Sequence, residues 1–257
     1  MTISYLTSPT PLQLEHCFLV IFTFVFILTN TYNFRVYINI DINIYYLMSD
    51  QIIWFKDCSY RNKELVGGKC SSLGELHSIS RRIGFSIGDG FAITTTMYDD
   101  YVRQNELEEV IETKLAAIDT TNIQKLEEQS KELRDIVAAG NLSEEQASSI
   151  SNTYQELCKL YCRENMEVAV RSSALAEDLP NASFAGQHDT YLNIRGEDEL
   201  LQAVKDCFAS LFNSRAVSYR KTHDIQLCDI KISVAVQKMI RSDIGSAGVA
   251  FSLDPET

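Results

Sequence analysis

An α+β domain is the fold class that the sequence predicts, and three observations predict it. Apolar residues recur at spacings of three and four over several long polar stretches, the period of an amphipathic helix. Short runs rich in Val, Ile and other apolar residues stand between them, bounded by glycine or polar clusters, as strands do. The two kinds of segment are mixed without strict alternation, which favours α+β over a βαβ repeat.

Taken in order, Gly68 to about Arg82 reads as a helix, with Leu73, Leu76, Ile79 and Ile83 on one stripe. Gly88-Asp89-Gly90 breaks the chain before a short strand, Phe91–Thr94. Tyr98–Asp119, Ile123–Ala139 and Ser143–Asn165 read as three polar helices. Gly140-Asn141 closes the second, and Ser143 with Gln146 gives the third a capping-box start. Val168-Ala169-Val170 reads as a buried strand ending on Arg171. A small-residue loop, Ser183-Phe184-Ala185-Gly186-Gln187, precedes a second strand through Tyr191, Leu192 and Ile194. Glu197–Asn213 is an amphipathic helix carrying Leu200, Leu201, Val204, Phe208 and Leu211 on one face. Lys231–Ile240 and Ala247–Leu253 read as strands, the first alternating Ile232, Val234 and Val236 against Ser233, Ala235 and Gln237.

Residues 1–47 differ in kind. They hold 10 of the chain's 25 aromatic residues, none of its 11 glycines and only three charges, Glu15, Arg35 and Asp41. The apolar run Cys17–Thr29 is thirteen residues long, short of the roughly 20 that a spanning helix needs. No basic residue precedes it and no small-residue cleavage site follows, so it is a poor signal peptide. A mis-called start ahead of Met48 is the favoured reading. A weak membrane anchor and a folded extension are the alternatives. The expected domain runs from residue 48 to residue 257.

Acidic residues outnumber Lys plus Arg by 35 to 23, a net charge of −12, which argues against a non-specific nucleic-acid binder. It leaves small anions open, because a few local cations and donors hold them whatever the global field. Seven cysteines without a CxxC fit neither a disulfide frame nor a zinc site. Cys158 and Cys162, four apart, read as core thiols, and a reducing compartment fits.

Two places suggest a phosphate site. Arg171 stands at a strand end beside a loop of Ser, Ala and Gly. Its planar fork suits phosphate oxygens, and small residues let backbone N–H groups approach them. Lys69 follows Gly67-Gly68 and opens a helix, where the ammonium and the helix N-terminus would face the same anion. This is not a Walker A loop, since Lys63 stands where its first glycine would be and Cys70 replaces Ser or Thr. On the residues alone, plainer readings remain open. Lys69 could be a solvated lysine, Arg171 could pair with Glu177 or Asp178, Gly186 could serve a turn, and Thr190 and Gln237 could be ordinary strand positions. The four histidines, His16, His77, His188 and His223, form no nucleophile or metal pattern.

Four blocks in order resemble the nucleotide-binding domain of the phosphoenolpyruvate synthase (pyruvate, water dikinase) family, which is similar to that of pyruvate phosphate dikinase. They are Val66-Gly67-Gly68-Lys69 with Leu73-Gly74-Glu75, then Gly90-Phe91-Ala92-Ile93-Thr94, then Val168–Ile194. The last is Val236-Gln237-Lys238-Met239 with Gly248-Val249-Ala250-Phe251-Ser252. The resemblance spans roughly Met48 to Thr257 and implies an incomplete ATP-grasp-type domain, truncated after its last strand. It implies that Lys69, Arg171, Gly186 and Thr190 face the phosphates of ATP. Gln237 and Met239, with Lys238 and Ile240, are implied to form the hinge that holds adenine.

The resemblance also implies a cytoplasmic enzyme converting pyruvate, ATP and water to phosphoenolpyruvate, AMP and phosphate. The phosphohistidine, the Mg²⁺ ligands and the pyruvate site are expected beyond residue 257, and the whole enzyme is expected to be a homodimer. No catalytic or metal-binding residue is then expected within the chain, which alone would be inactive. The alternatives are another dikinase-type phosphotransferase, such as pyruvate phosphate dikinase or an antibiotic phosphotransferase, and a non-catalytic nucleotide-binding fragment. Two departures stand out. Cys70-Ser71-Ser72 replaces the usual Gly-Ala/Ser-Asn, and Gly88-Asp89-Gly90 replaces the usual Pro-Pro-Gly, a change expected to affect only turn stiffness.

Overall fold

Among the described residues there are seven strands, β1 (Ile52–Trp54), β2 (Gly90–Ile93), β3 (Val168–Ala174), β4 (Asp178–Leu179), β5 (Ala182–Ser183), β6 (Thr190–Ile194) and β7 (Ile232–Lys238). Five form one sheet in the order β1-β2-β7-β3-β6, every neighbour antiparallel, while β4 and β5 pair with each other. The computed structural model describes residues 51–174, 178–179, 182–183, 189–222 and 231–249. All fall within the compact unit Ser49–Thr257. The helices are α1 (Lys63–Ile83), α2 (Thr95–Gln104), α3 (Leu107–Ala117), α4 (Ile123–Ala138), α5 (Glu144–Leu160), α6 (Glu197–Ala209) and α7 (Ser214–Thr222). Mixed helix and antiparallel sheet make this an α+β fold. No described helix is long and apolar enough to cross a membrane.

The two faces of the sheet are covered differently. On one, Phe91, Ile93, Val168, Val170, Ile232, Val234 and Val236 join the large core with residues from α2 to α7. Phe208 of α6 stands at its centre, its ring 5.3 Å from that of Tyr98 and 5.2 Å from that of Tyr101. Such aromatic pairs add about 0.5–1.5 kcal/mol each beyond their buried area. On the other face, Ile53, Ala92 and Ala235 meet Phe55, Cys58, Val66 and Cys70 in a small core beneath the start of α1.

Several expectations need correction. β7 is buried from Ile232 through Val236 without a break, because the small core covers the face that alternation had left to solvent. Of the stripe expected on α1, Leu73 packs against the small core, but the stripe as a whole is not the buried side. Leu76 and Ile83 are exposed, whereas Val66, Cys70 and Ser71 are buried. Small residues let this helix sit close to the sheet. The single helix expected over 98–119 is two, α2 and α3, broken at Glu106, whose φ of 55° is left-handed. β1 and α7 had no counterpart in the sequence reading. α5 starts at the Ser143–Gln146 capping box as expected, but it ends at Leu160. Cys162 therefore lies beyond the helix and is exposed, unlike buried Cys158. Residues 247–249 of the strand expected over 247–253 are not strand, and the rest lies outside the described residues.

Candidate functional site

The break in α1 organises the site. Gly67 has φ 74° and ψ 172°, outside helical space, so the helix that carries Lys69 begins afresh at Gly68. A Cβ at Gly67 would lie 2.3 Å from the Ser173 carbonyl oxygen and 2.4 Å from its Oγ. Only glycine allows both that φ and that approach. Two fully buried serines on the central strands hold the break in place. The Ser173 hydroxyl donates to Val66 O at 3.3 Å and accepts from the backbone N–H of Lys69 at 3.2 Å. The Ser233 hydroxyl is shared between Val66 O and Ser173 O, the latter at 3.0 Å. The start of the helix is thus fastened across β3 and β7.

Arg171 sits two residues from Ser173 on the same face of β3. It is the middle residue of that strand, not its end as the sequence suggested, because β3 continues to Ala174. Its cross-strand partners are Thr190 on β6 and Ala235 on β7. Gln237 on β7 faces Ala169 on β3, so Arg171 and Gln237 are diagonal neighbours on one face, separated by about 7–8 Å between backbones in ordinary sheets. A bulge in β6, where Asn193 has φ 60°, shifts the β3–β6 register between Val168 and Val170. The shift brings Thr190, which is exposed, opposite Arg171.

The Arg171 guanidinium is half-buried, and its Nε is buried without a hydrogen-bond partner. Among the described residues it makes no ion pair. The side chains of the two expected partners, Glu177 and Asp178, lie outside them. Leaving such a donor unsatisfied costs about 1–3 kcal/mol, an arrangement an arriving anion would relieve. Arg134 and Arg220 also carry an unpartnered buried Nε. Arg220, on α7 itself, is only 1 % exposed. Arg134 belongs to α4, among the helices of the large core, whereas Arg171 faces the start of α1. Cys70, fully buried next to Lys69 in the chain, also feels the charge of Arg171. Burial pushes its thiol up to about 12, while hydrogen bonds with Ser173 and Ser233 and the charges of Lys69 and Arg171 pull the other way. That thiol is inert as a nucleophile.

The structure therefore brings Lys69, Arg171, Thr190 and Gln237 to one face of the sheet. Gly186 lies outside the described residues. Met239, just past β7, is half-buried, and its N–H is already bonded to Glu167 O at 3.0 Å. The N–H of Lys238 is likewise given to Asp89 O at 2.9 Å. Backbone N–H donors for a base at these two positions are thus spent. The Gln237 side chain donates to Gly88 O at 3.0 Å, leaving its carbonyl and second N–H available. Lys238 points to the opposite face, its Nζ 3.5 Å from the centre of the Tyr161 ring.

Asp89 was not singled out by the sequence. Its carboxylate meets His77 Nε2 at 2.9 Å and accepts the Tyr161 hydroxyl. Burial works against its charge, but the bonds from Tyr161 and His77, with the charges of His77 and Lys238, hold its pKa below the ordinary carboxylate range. The Gly88-Asp89-Gly90 segment does more than change turn stiffness, because the Asp89 side chain ties it to α1 through His77 and to the end of α5 through Tyr161. A cavity of about 480 Å³ between α4 and α7, lined by Ile123, Leu126, Arg215 and Tyr219 among others, involves none of these residues.

An α+β domain with a lysine-bearing helix start and a strand arginine on one sheet face is of the kind that binds phosphorylated ligands. The comparison with known proteins is specific. Residues 63–257 match the family described as pyruvate phosphate dikinase, AMP/ATP-binding domain, and the chain belongs to that family. Among individual relatives it is 44% identical over 206 residues to the phosphoenolpyruvate synthase of Helicobacter pylori, covering 80% of this chain and 25% of that protein. It is 41% identical over 208 residues to that of Deinococcus radiodurans (81% and 26%). It is 37% identical over 209 residues to that of Escherichia coli (81% and 26%). The chain thus spans about a quarter of the length of the curated relatives it matches.

Proposed function

We propose that residues 48–257 supply the ATP-binding surface of a phosphoenolpyruvate synthase. The observation that carries this is the unpartnered, buried Nε of Arg171 on the same sheet face as the helix start at Lys69. Family membership makes ATP the anion of choice. In this reading Lys69, Arg171, Gly186 and Thr190 contact the phosphates, while Gln237 and Met239 lie at the adenine end. The spent N–H groups of Lys238 and Met239 leave base recognition to side chains and carbonyl oxygens there. The domain is the first portion of an ATP-grasp-type unit, and residues 1–47 are foreign to it.

Among the described residues no cluster of three or more His, Cys, Asp or Glu side chains could hold a metal ion. In this reading Mg²⁺ is carried by the ATP phosphates, and its protein ligands lie elsewhere in the enzyme. Lys69 and Arg171 would offset phosphate charge from fixed positions, the strategy common to phosphoryl transfer. Conversion of pyruvate and water, through a phosphohistidine, belongs to other parts of a cytoplasmic, homodimeric enzyme. The family description also favours a second reading, pyruvate phosphate dikinase, with the same ATP surface and phosphate as the other acceptor.

Calorimetric titration of the chain with Mg·ATP tests the proposal. Saturable one-site binding, competed by AMP, is the expected result. Absence of binding by a folded chain would overturn it.

A further inference from the structure

The end of β7 is held by a cluster to which no role has been assigned. Three hydrogen bonds fix it. Lys238 N–H donates to Asp89 O at 2.9 Å, Gln237 Nε2 to Gly88 O at 3.0 Å, and Met239 N–H to Glu167 O at 3.0 Å. Two of the three acceptors belong to the segment between α1 and β2, which has no regular structure from residue 85 to residue 89. That segment is anchored in turn by the Asp89 side chain. One carboxylate oxygen meets His77 of α1 at 2.9 Å, and the other accepts the hydroxyl of Tyr161, the residue that caps α5. Lys238 closes the ring by lying over the Tyr161 face. Remove the carboxylate, and the segment that receives Lys238 and Gln237 loses its link to both helices.

We propose that Asp89 is a positioning residue for the nucleobase, fixing the Gln237–Met239 segment at the depth where the base of ATP is held. This rests on the assignment of that segment to the adenine end, and it extends that assignment to a residue that touches no nucleotide. The phosphate end is fastened separately, through Ser173 and Ser233. Loss of Asp89 should therefore act on the base and spare the phosphates. A general loosening of the fold would weaken both together.

The test titrates the wild-type chain and the variants Asp89→Ala, Asp89→Asn and Tyr161→Phe with Mg·ATP, Mg·GTP and inorganic tripolyphosphate. Asp89→Ala should weaken ATP about tenfold and narrow the preference for ATP over GTP, while tripolyphosphate stays within about twofold. Tyr161→Phe should shift ATP in the same direction by less. Asp89→Asn should recover part of the loss, since its amide oxygen can still accept from Tyr161. Unchanged ATP affinity in Asp89→Ala, or equal losses of ATP and tripolyphosphate, would overturn the inference while leaving the ATP assignment standing. Should Asp89→Ala fail to fold, wild-type ATP affinity in Tyr161→Phe would overturn it. A wild-type chain that binds neither ATP nor tripolyphosphate would overturn the proposed function and this inference with it.

Discussion

The two faces of the sheet are built from the same strands but to different ends. The face of Phe91, Ile93, Val170, Val234 and Val236 is mainly apolar, with Ser172 a buried exception, and packs under six helices. The face of Arg171, Ser173, Ser233 and Gln237 is polar beside a small apolar core, and among the described residues it is covered by α1 and residues 53–58 and partly open. Burial of side-chain area supplies the stability of the first. The second is ordered by a few directed bonds that hold a glycine break in place and leave one arginine nitrogen unpartnered. Stability and binding are thereby weighted to opposite sides of one layer of backbone, so a variant on the core face should leave binding intact.

The largest expected effect is on the core face. Phe208→Ala should destabilise by about 3–5 kcal/mol, because it leaves a hole between Tyr98 and Tyr101. Denaturant unfolding measures this, and ATP affinity under conditions where the variant stays folded should be unchanged. Next, Gly67→Ala places a Cβ against Ser173 backbone at a φ of 74°. About 1–3 kcal/mol of strain is expected, and here ATP affinity should fall as well, since the start of α1 must move. Ser233→Ala should cost about 1 kcal/mol, because Val66 O keeps the longer bond from Ser173. A thermal melt detects that loss.

The smallest effect is on acid stability. The pKa of Asp89 is lowered in the folded chain, so its contribution is complete above the ordinary carboxylate value of about 3.9. That contribution is lost as pH falls through the lower folded value. Its side chain is 38% exposed, so solvent screening keeps the contribution small. Asp89→Asn should flatten the acid limb of a stability–pH curve without altering the limb near neutrality. An unchanged acid limb would contradict the assignment.

The core face was the legible one. Val234 and Val236, and Leu200, Val204 and Phe208, announce themselves by period, and the Ser143–Gln146 box announces a helix start by local chemistry alone. The candidate site was legible in part. Lys69 and Arg171 could be picked out because their residue types suit phosphate, and Gly67 because glycine before a helix is informative. What escaped depends on contacts distant in sequence. Asp89 finds its partners 12 and 72 residues away, and Ser173 and Ser233 meet Val66 across more than a hundred residues. Nothing local marks such residues. The unbroken burial of β7 was missed for a related reason, since the small core on its second face is brought by α1 and residues 53–58. The α2–α3 break was missed because Glu106 adopts a left-handed φ that its residue type disfavours, and α7 because its buried residues include Arg220.

The division between the faces is tested most directly at Arg171. The wild-type chain, Arg171→Ala and Arg171→Lys would each be titrated with Mg·ATP and melted in its absence. Removing the arginine should cost about 2–5 kcal/mol of binding with no fall in melting temperature, because an unsatisfied buried donor is removed along with the charge. Lysine should restore little of the affinity, since a point charge does not reproduce the planar fork. Wild-type affinity in Arg171→Ala, or a loss of affinity matched by a loss of stability, would contradict the account.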